Sequence, residues 1–245
     1  VADGASYTGS SAGGALNVTV SGQDARGVVA TGVGTTLSTG APTYNVTGSA
    51  GTGGGAVAIS TEGGATGTID AGTTINLNAP GSIAGVVNGQ QRNLTGAVVG
   101  NLLTTSLTNN AAIRSATANT TGFVASNGGT LTNTNTVDLT GLRSNGVIVG
   151  AQGTVRNSGT ISVANGNGAL VQGASASLIN DGTIQANDGM AAVHLTGTGA
   201  SVAFAGNGLI TAGGTANGIL LDSTAIGGSV TGTAGRIVTN GSGAA

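Results

Sequence analysis

The sequence predicts a right-handed parallel β-helix, a solenoid of about nine or ten coils with three short strands in each coil. Three observations predict it. A phrase close to Asn-x-Gly-Thr-Ile recurs at a nearly constant distance, short segments alternate apolar and polar residues, and glycine and asparagine separate these segments. With 49 glycines among 245 residues and only 2% aromatics, the chain has few large side chains for a compact core. It must gain stability from many small apolar contacts and a dense backbone hydrogen-bond ladder.

Three sets of apolar markers define the repeat. The first set is spaced by 24, 24, 23, 26 and 27 residues and consists of Ile113, Val137, Ile161, Ile184, Ile210 and Ile237. The second set consists of Val124, Ile148, Leu170, His194 and Leu220. The third set consists of Leu131, Val155, Leu178, Val202 and Val230. Because the three sets advance together, each repeat contains three strands, and the coils are stable only as a stack that buries their shared apolar side.

The N-terminal part carries a looser version of the repeat, in units of about 28 to 30 residues. Segments predicted to share one position in the coil begin at Asn17, Tyr44 and Thr74. Segments predicted for the next position begin at Gly27, Gly55 and Gly85, and those for the third at Thr35 and Gly67. The register of 92–108 stays open. We therefore expect one β-helical unit over 1–245, with longer coils in 1–108 and regular coils of about 24 residues in 109–245.

The recurring asparagines are expected to stack at one turn. Asn133, Asn157 and Asn180 occupy the same place in successive repeats, so their amides are predicted to bond to each other or to the turn backbone. Thr136, Thr160 and Thr183 are expected to stack just after them. A β-propeller or a leucine-rich solenoid is the alternative fold. The repeat is too short for propeller blades, and it lacks a regular Leu-x-x-Leu-x-Leu pattern.

Composition argues against several classes of protein. The net charge is −2, and six scattered arginines with no lysine provide no basic patch for nucleic acid. No run of 18 apolar residues predicts a membrane-spanning helix. No signal peptide is recognisable at the start of the sequence.

Catalytic and metal-binding groups are sparse. His194 is the only histidine, Glu62 is the only glutamate, and there is no cysteine. A triad of His194, Asp188 and a nearby serine lacks any supporting motif, so we predict no catalytic residue. We also predict no cofactor-binding residue and no metal ligand set, because no cluster of acids has ligand spacing.

Two competing functions depend on outward side chains. A glycan-processing β-helix needs paired carboxylates, but the expected register places Asp138 opposite Ser162 and Gln185 rather than opposite another acid. An ice-binding β-helix needs a flat face of regularly spaced Thr-x-Thr. Thr132, Thr134 and Thr136 fit locally, but the next coil offers the following residues in their place: Arg156, Ser158 and Thr160. We expect that array to be broken.

NSGTISV at Asn157, NDGTIQA at Asn180 and SNGVIVG at Ser144 resemble the passenger domains of autotransporters, the type V secreted surface proteins of Gram-negative bacteria. The resemblance is best over 113–238. It implies a secreted rod at the outer-membrane cell surface, a virulence-associated adhesin that attaches to a host or abiotic surface or to another copy of itself. Membrane contact would then run only through a C-terminal barrel that this sequence does not contain. The alternative is a β-helical glycan-processing enzyme or a glycan-binding module.

One set of markers predicts an interaction stripe. The segments GVIVG, GALVQ, AVHLT and GILLD are apolar at three successive positions, and alternation turns only the outer two toward the core. The middle residues are then predicted to form one exterior column: Val124, Ile148, Leu170, His194 and Leu220. A contiguous apolar stripe on a rod is typical of an interaction surface. A bend that turns these residues inward, or a segment that covers them, is the alternative.

Overall fold

The computed structural model describes residues 4–9, 16–49, 55–92 and 97–243. These residues form strands and turns and no helix. The strands in chain order are β1 (Ser6–Thr8), β2 (Asn17–Val20), β3 (Arg26–Thr31), β4 (Thr36–Ser38), β5 (Thr43–Val46), β6 (Val57–Glu62), β7 (Thr66–Ile69), β8 (Thr74–Leu77), β9 (Ile83–Asn88), β10 (Gln90–Arg92), β11 (Val98–Leu102), β12 (Thr105–Asn109), β13 (Ile113–Ser115), β14 (Thr121–Ser126), β15 (Gly129–Asn133), β16 (Thr136–Leu139), β17 (Ser144–Val149), β18 (Thr154–Asn157), β19 (Thr160–Gln172), β20 (Ser177–Asn180), β21 (Thr183–Thr196), β22 (Ser201–Phe204), β23 (Leu209–Ala212), β24 (Asn217–Leu221), β25 (Ser229–Thr231) and β26 (Arg236–Thr239).

Parallel pairing between successive coils builds a β-solenoid with three faces. The first face has the strand order β1-β4-β7-β12-β15-β18-β20-β22-β25. The second contains β2-β5-β8-β13-β16-β19-β21-β23-β26, and the third contains β3-β6-β9-β14-β17-β19-β21-β24. β19 and β21 each run without interruption from the second face into the third.

The solenoid has about eight coils, so the expected nine or ten is wrong. The reason is the length of the N-terminal coils. Thr36 lies 30 residues from Ser6, and Ser106 lies 40 residues from Thr66, although each pair belongs to neighbouring coils. The later coils are shorter, with 24 residues between Asn109 and Asn133. A count based on the regular repeat therefore overestimates the number of coils.

All three marker sets lie in register. On the second face, Val137 pairs with Ile113 and Ile161, and the series continues to Ile237. The second set occupies the third face, and the third set occupies the first face. The three groups of N-terminal segments also pair as expected, as β2-β5-β8, β3-β6-β9 and β4-β7.

An antiparallel pair of strands overlaps the segment of open register. Gln90 in β10 pairs with Leu102 in β11, and the chain then rejoins the first face at β12. β14 pairs with β9 across this excursion, so the third face continues without a gap. Stacked repeats accommodate such insertions at a turn because each coil needs only its neighbours.

Apolar side chains fill the interior along the whole axis. The column Ile113, Val137, Ile161, Ile184 and Ile210 is fully buried, whereas Ile237 on the last strand of the second face is 38% exposed. Tyr44 and Phe123 are the largest fully buried side chains. The Tyr44 hydroxyl finds no hydrogen-bond partner there. Burial, followed by the influence of Tyr7, raises the pKa of Tyr44 to about 12.

The predicted asparagine ladder forms at the corner between the first and second faces. Asn133 Nδ2 donates to Asn157 Oδ1 at 2.9 Å, and Asn157 Nδ2 donates to Asn180 Oδ1 at 2.8 Å. Asn109, which the sequence did not suggest, adds a fourth rung through its bond to Asn133 at 2.8 Å. All four side chains are buried. The predicted threonine column follows, with Thr160 paired to its neighbours in register.

Candidate functional site

The predicted stripe forms a continuous column at the middle of the third face. Val124 lies opposite Ile148, Ile148 opposite Leu170, Leu170 opposite His194, and His194 opposite Leu220. Toward the N-terminus, Val86 pairs with Val124 and extends the column by one coil.

Burial shows that these side chains point away from the core. Val147 and Val149, the strand neighbours of Ile148, are fully buried, whereas Ile148 is half-buried. Val124, Leu170 and Leu220 are half-buried in the same way. Rungs in a parallel sheet lie only about 4.8 Å apart, so each outward side chain shields the next from solvent. Whether the stripe is an interaction surface stays a prediction.

A bulge places a further apolar group beside the stripe. Gly166 pairs with Gly189 but Asn167 pairs with Ala191, so Met190 is an extra residue in β21. Met190 is 50% exposed. The groove beside it is lined in part by Arg143, Asn145, Asn167, Leu170 and Met190. Sequence reasoning missed Met190 because a bulge leaves no mark on a regular apolar period.

His194 is the least exposed member of the stripe, at 9%. Its Nε2 lies 3.2 Å from Asp222 Oδ2, in the turn that follows β24. Thr224 contacts the other carboxylate oxygen of Asp222, through its backbone N–H at 2.8 Å and its hydroxyl at 2.5 Å. These bonds from Thr224, followed by the contact with His194, lower the pKa of Asp222. The pair joins neighbouring coils.

The histidine does not meet the acid considered from the sequence. Asp188 accepts instead from Thr215, whose backbone N–H lies 3.1 Å from Asp188 Oδ1. Asp222 is the partner of His194, and the Thr224 hydroxyl donates to Asp222 Oδ1. This hydroxyl is therefore not arranged as a nucleophile beside the imidazole. The geometry provides a polar contact between neighbouring coils.

A polar cluster interrupts the column at its N-terminal end. Ser60 Oγ donates to Glu62 Oε1 at 2.8 Å, and Arg26 Nη1 donates to Ser60 Oγ at 3.0 Å and forms an ion pair with Glu62. Glu62 is 5% exposed and Ser60 is fully buried. The apolar stripe therefore ends at Val86. The only sequence signal for this cluster was that Glu62 is the sole glutamate.

The acids show no paired arrangement in the strand registers of the described residues. Asp138 lies opposite Arg114 and Ser162, as the sequence register indicated for Ser162. No group of three histidine, cysteine or acidic residues capable of holding a metal occurs in the described ranges. That the chain needs no metal stays a prediction, and an unchanged melting temperature in EDTA is its test. Nor do the described ranges contain a helix long and apolar enough to cross a membrane.

The fold defines the chain as a parallel β-solenoid. No protein-family model matches the sequence, and no curated protein matches it. One solved structure to which the chain is similar is the crystal structure of a hyper-glycosylated TibA fragment, modified by TibC. The two share 13% identity, over 98% of this chain and 99% of that chain, with a TM-score of 0.20. At this TM-score the similarity carries no argument about function.

Proposed function

We propose that the chain is a structural rod of the surface of a Gram-negative bacterium, and that the rod attaches to surfaces or to copies of itself without catalysis of its own. The observation that carries the proposal is the outward apolar column on the third face. The resemblance of the repeat phrases to autotransporter passenger domains supports the secreted location. A right-handed winding is part of the proposal, since connections between parallel strands of one sheet are right-handed in nearly all proteins.

Side-by-side association of two rods is the form of attachment that this column fits. Val124, Ile148 and Leu170 present apolar groups at successive rungs, and Met190 widens the strip. Removing such surface from water is favourable by roughly 25 cal/mol per Å². The net charge of −2 on 245 residues adds little repulsion between like rods.

The test changes Ile148 and Leu170 to serine together. Both are half-buried and outward, so we expect a melting temperature close to that of the parent and a loss of association in light scattering. The matched control changes Val33 and Ile226 to serine, because both are 69% exposed and lie in turns rather than in the column. The control is expected to associate like the parent.

Two outcomes would count against lateral association. A parent that stays monomeric at every concentration tested excludes it. A double variant that unfolds shows that the column is part of the packed core. A double variant that associates as the parent does shows that another surface makes the contact.

A further inference from the structure

The outward side of the first face carries a hydroxyl group on each of its nine strands. The residues at this position are in direct register from coil to coil. We call them the first hydroxyl column: Ser6, Thr36, Thr66, Ser106, Thr130, Thr154, Ser177, Ser201 and Ser229.

A second column lies two residues further along each strand. It contains hydroxyls in five successive coils, at Thr8, Ser38, Thr68, Thr108 and Thr132. The next coil has Arg156 at this position, and the column ends there. The residue between the two columns faces inward, as the burial of Leu37, Leu107 and Leu131 shows. The five strands β1, β4, β7, β12 and β15 thus form a two-column hydroxyl array.

The backbone fixes the spacing of this array. Successive rungs lie about 4.8 Å apart, and two residues along a parallel strand rise about 6.6 Å. The array of two columns by five coils therefore extends over roughly 19 Å along the axis. The uninterrupted hydrogen-bonded sheet beneath holds the positions rigidly, so the hydroxyls form a two-dimensional lattice.

Much of the array is available to solvent. Thr8, Thr36 and Thr66 are exposed, and Thr68, Thr108, Thr130 and Thr132 are half-exposed. Within the described residues the array side chains make few bonds, among them Thr36 to Ser6 inside the array at 2.8 Å and Ser38 to Asp70 outside it at 2.6 Å. All ten array positions are uncharged serine or threonine.

We propose that this hydroxyl array binds ice. A threonine presents a hydroxyl that bonds water and a methyl that restricts the water beside it, and repetition at fixed separations orders the bound waters into a lattice. One such contact is weak, but ten on a rigid scaffold engage a crystal surface together. A solid of neutral water molecules offers no charge to pair, which fits an array of ten uncharged side chains. A soluble charged ligand would gain little here.

The array differs from the Thr-x-Thr face that the sequence suggested. Thr132, Thr134 and Thr136 do not share one face, because Asn133 turns the chain into the ladder corner and Thr136 lies on the second face. The array residues of that coil are Thr130 and Thr132. This activity is independent of the proposed lateral association, which uses the third face.

Ice recrystallisation inhibition and uptake of fluorescently labelled protein into a growing ice crystal test the proposal. The parent is expected to inhibit and to enter the ice. Thr108→Tyr puts a bulky ring at an interior position of the array, and we expect at least about a tenfold loss of inhibition. Ser201→Tyr is the matched control, because it is half-exposed on the same face but outside the two-column array. It is expected to retain the parent's activity.

A second variant guards against misfolding. Thr68→Val with Thr108→Val keeps the shape and removes two hydroxyls, so a native circular dichroism spectrum with weaker inhibition supports the proposal. A parent that ice excludes, or that inhibits no more than serum albumin, overturns it. A folded Thr108→Tyr variant as active as the parent overturns it as well.

Discussion

The corner between the first and second faces closes differently in the central and the N-terminal coils of the solenoid. In the central coils, one residue type repeats, and four asparagine amides bond to one another along the axis. In the N-terminal coils, the Thr39 and Thr73 hydroxyls meet at 2.5 Å in a buried contact. Asp70 completes that corner by accepting from the Gly40 N–H at 2.7 Å.

The difference shows how corner chemistry controls the regularity of a repeat. A side-chain amide carries both a donor and an acceptor, so each asparagine accepts a hydrogen bond from the previous rung and donates one to the next. The same residue can therefore repeat in each of these coils, and the rungs are spaced by 24, 24 and 23 residues. A hydroxyl and carboxylate cluster joins two particular coils and has no repeating unit. Longer coils accompany it.

The largest effect is expected from a charge in the shared core. Ile161→Asp places a carboxylate among Val137, Ile184 and the other buried apolar residues, where nothing compensates its charge. We expect a loss of at least about 4 kcal/mol in the free energy of unfolding, measured with urea. Thr160→Asp, one residue before Ile161 and half-exposed opposite Thr136 and Thr183, is the control. Equal stability of the two variants would contradict the inward assignment of Ile161.

Substitutions in the two versions of this corner should lower the free energy of unfolding by different amounts. Asn157→Ala removes a middle rung and leaves Asn133 Nδ2 and Asn180 Oδ1 without their mutual partner. We expect a cost of about 2 to 4 kcal/mol, because two buried polar groups lose a bond. Thr73→Val, which removes one hydroxyl from the N-terminal corner, should cost about 1 to 2 kcal/mol. A larger cost for Thr73→Val would show that the ladder is not the stronger corner.

Periodicity explains what the sequence revealed and what it concealed. The three marker sets and three of the ladder asparagines were predictable, because a stack in register repeats the same residue type at the same place. The antiparallel pair of β10 and β11 was not, because it leaves the stack. The contact between His194 and Asp222 was also hidden, since it joins residues 28 apart through an irregular turn. The hydroxyl array was obscured because serine and threonine alternate irregularly and the strand bounds were uncertain.

Steric crowding differs between two neighbouring glycines of one coil. A Cβ at Gly146 would lie 2.2 Å from Ile161 Cγ2 and 2.4 Å from the Gly168 carbonyl oxygen. Gly146→Ala is therefore expected to cost about 1 to 3 kcal/mol in thermal or urea unfolding. Gly150→Ala is the matched control, since its Cβ would come no nearer than 3.2 Å to Ser126 Cβ. If both variants unfold alike, the close packing of Gly146 in β17 against Ile161 and Gly168 is wrong.

The smallest effect is expected at Tyr44 in the N-terminal coils, where the core contains a hydroxyl without a partner. Tyr44→Phe removes this buried polar group and keeps the ring, so we expect the protein to gain about 1 kcal/mol at neutral pH. The pKa of Tyr44 is raised from 10.0 to about 12, so the folded state keeps its proton where the unfolded state has lost it. The stability that this proton provides is complete below pH 10 and is lost as the pH rises toward 12. Urea unfolding from pH 8 upward should show a parent that weakens in this window, and a Tyr44→Phe variant that weakens less. A variant less stable than the parent at neutral pH would mean that the hydroxyl is satisfied in solution.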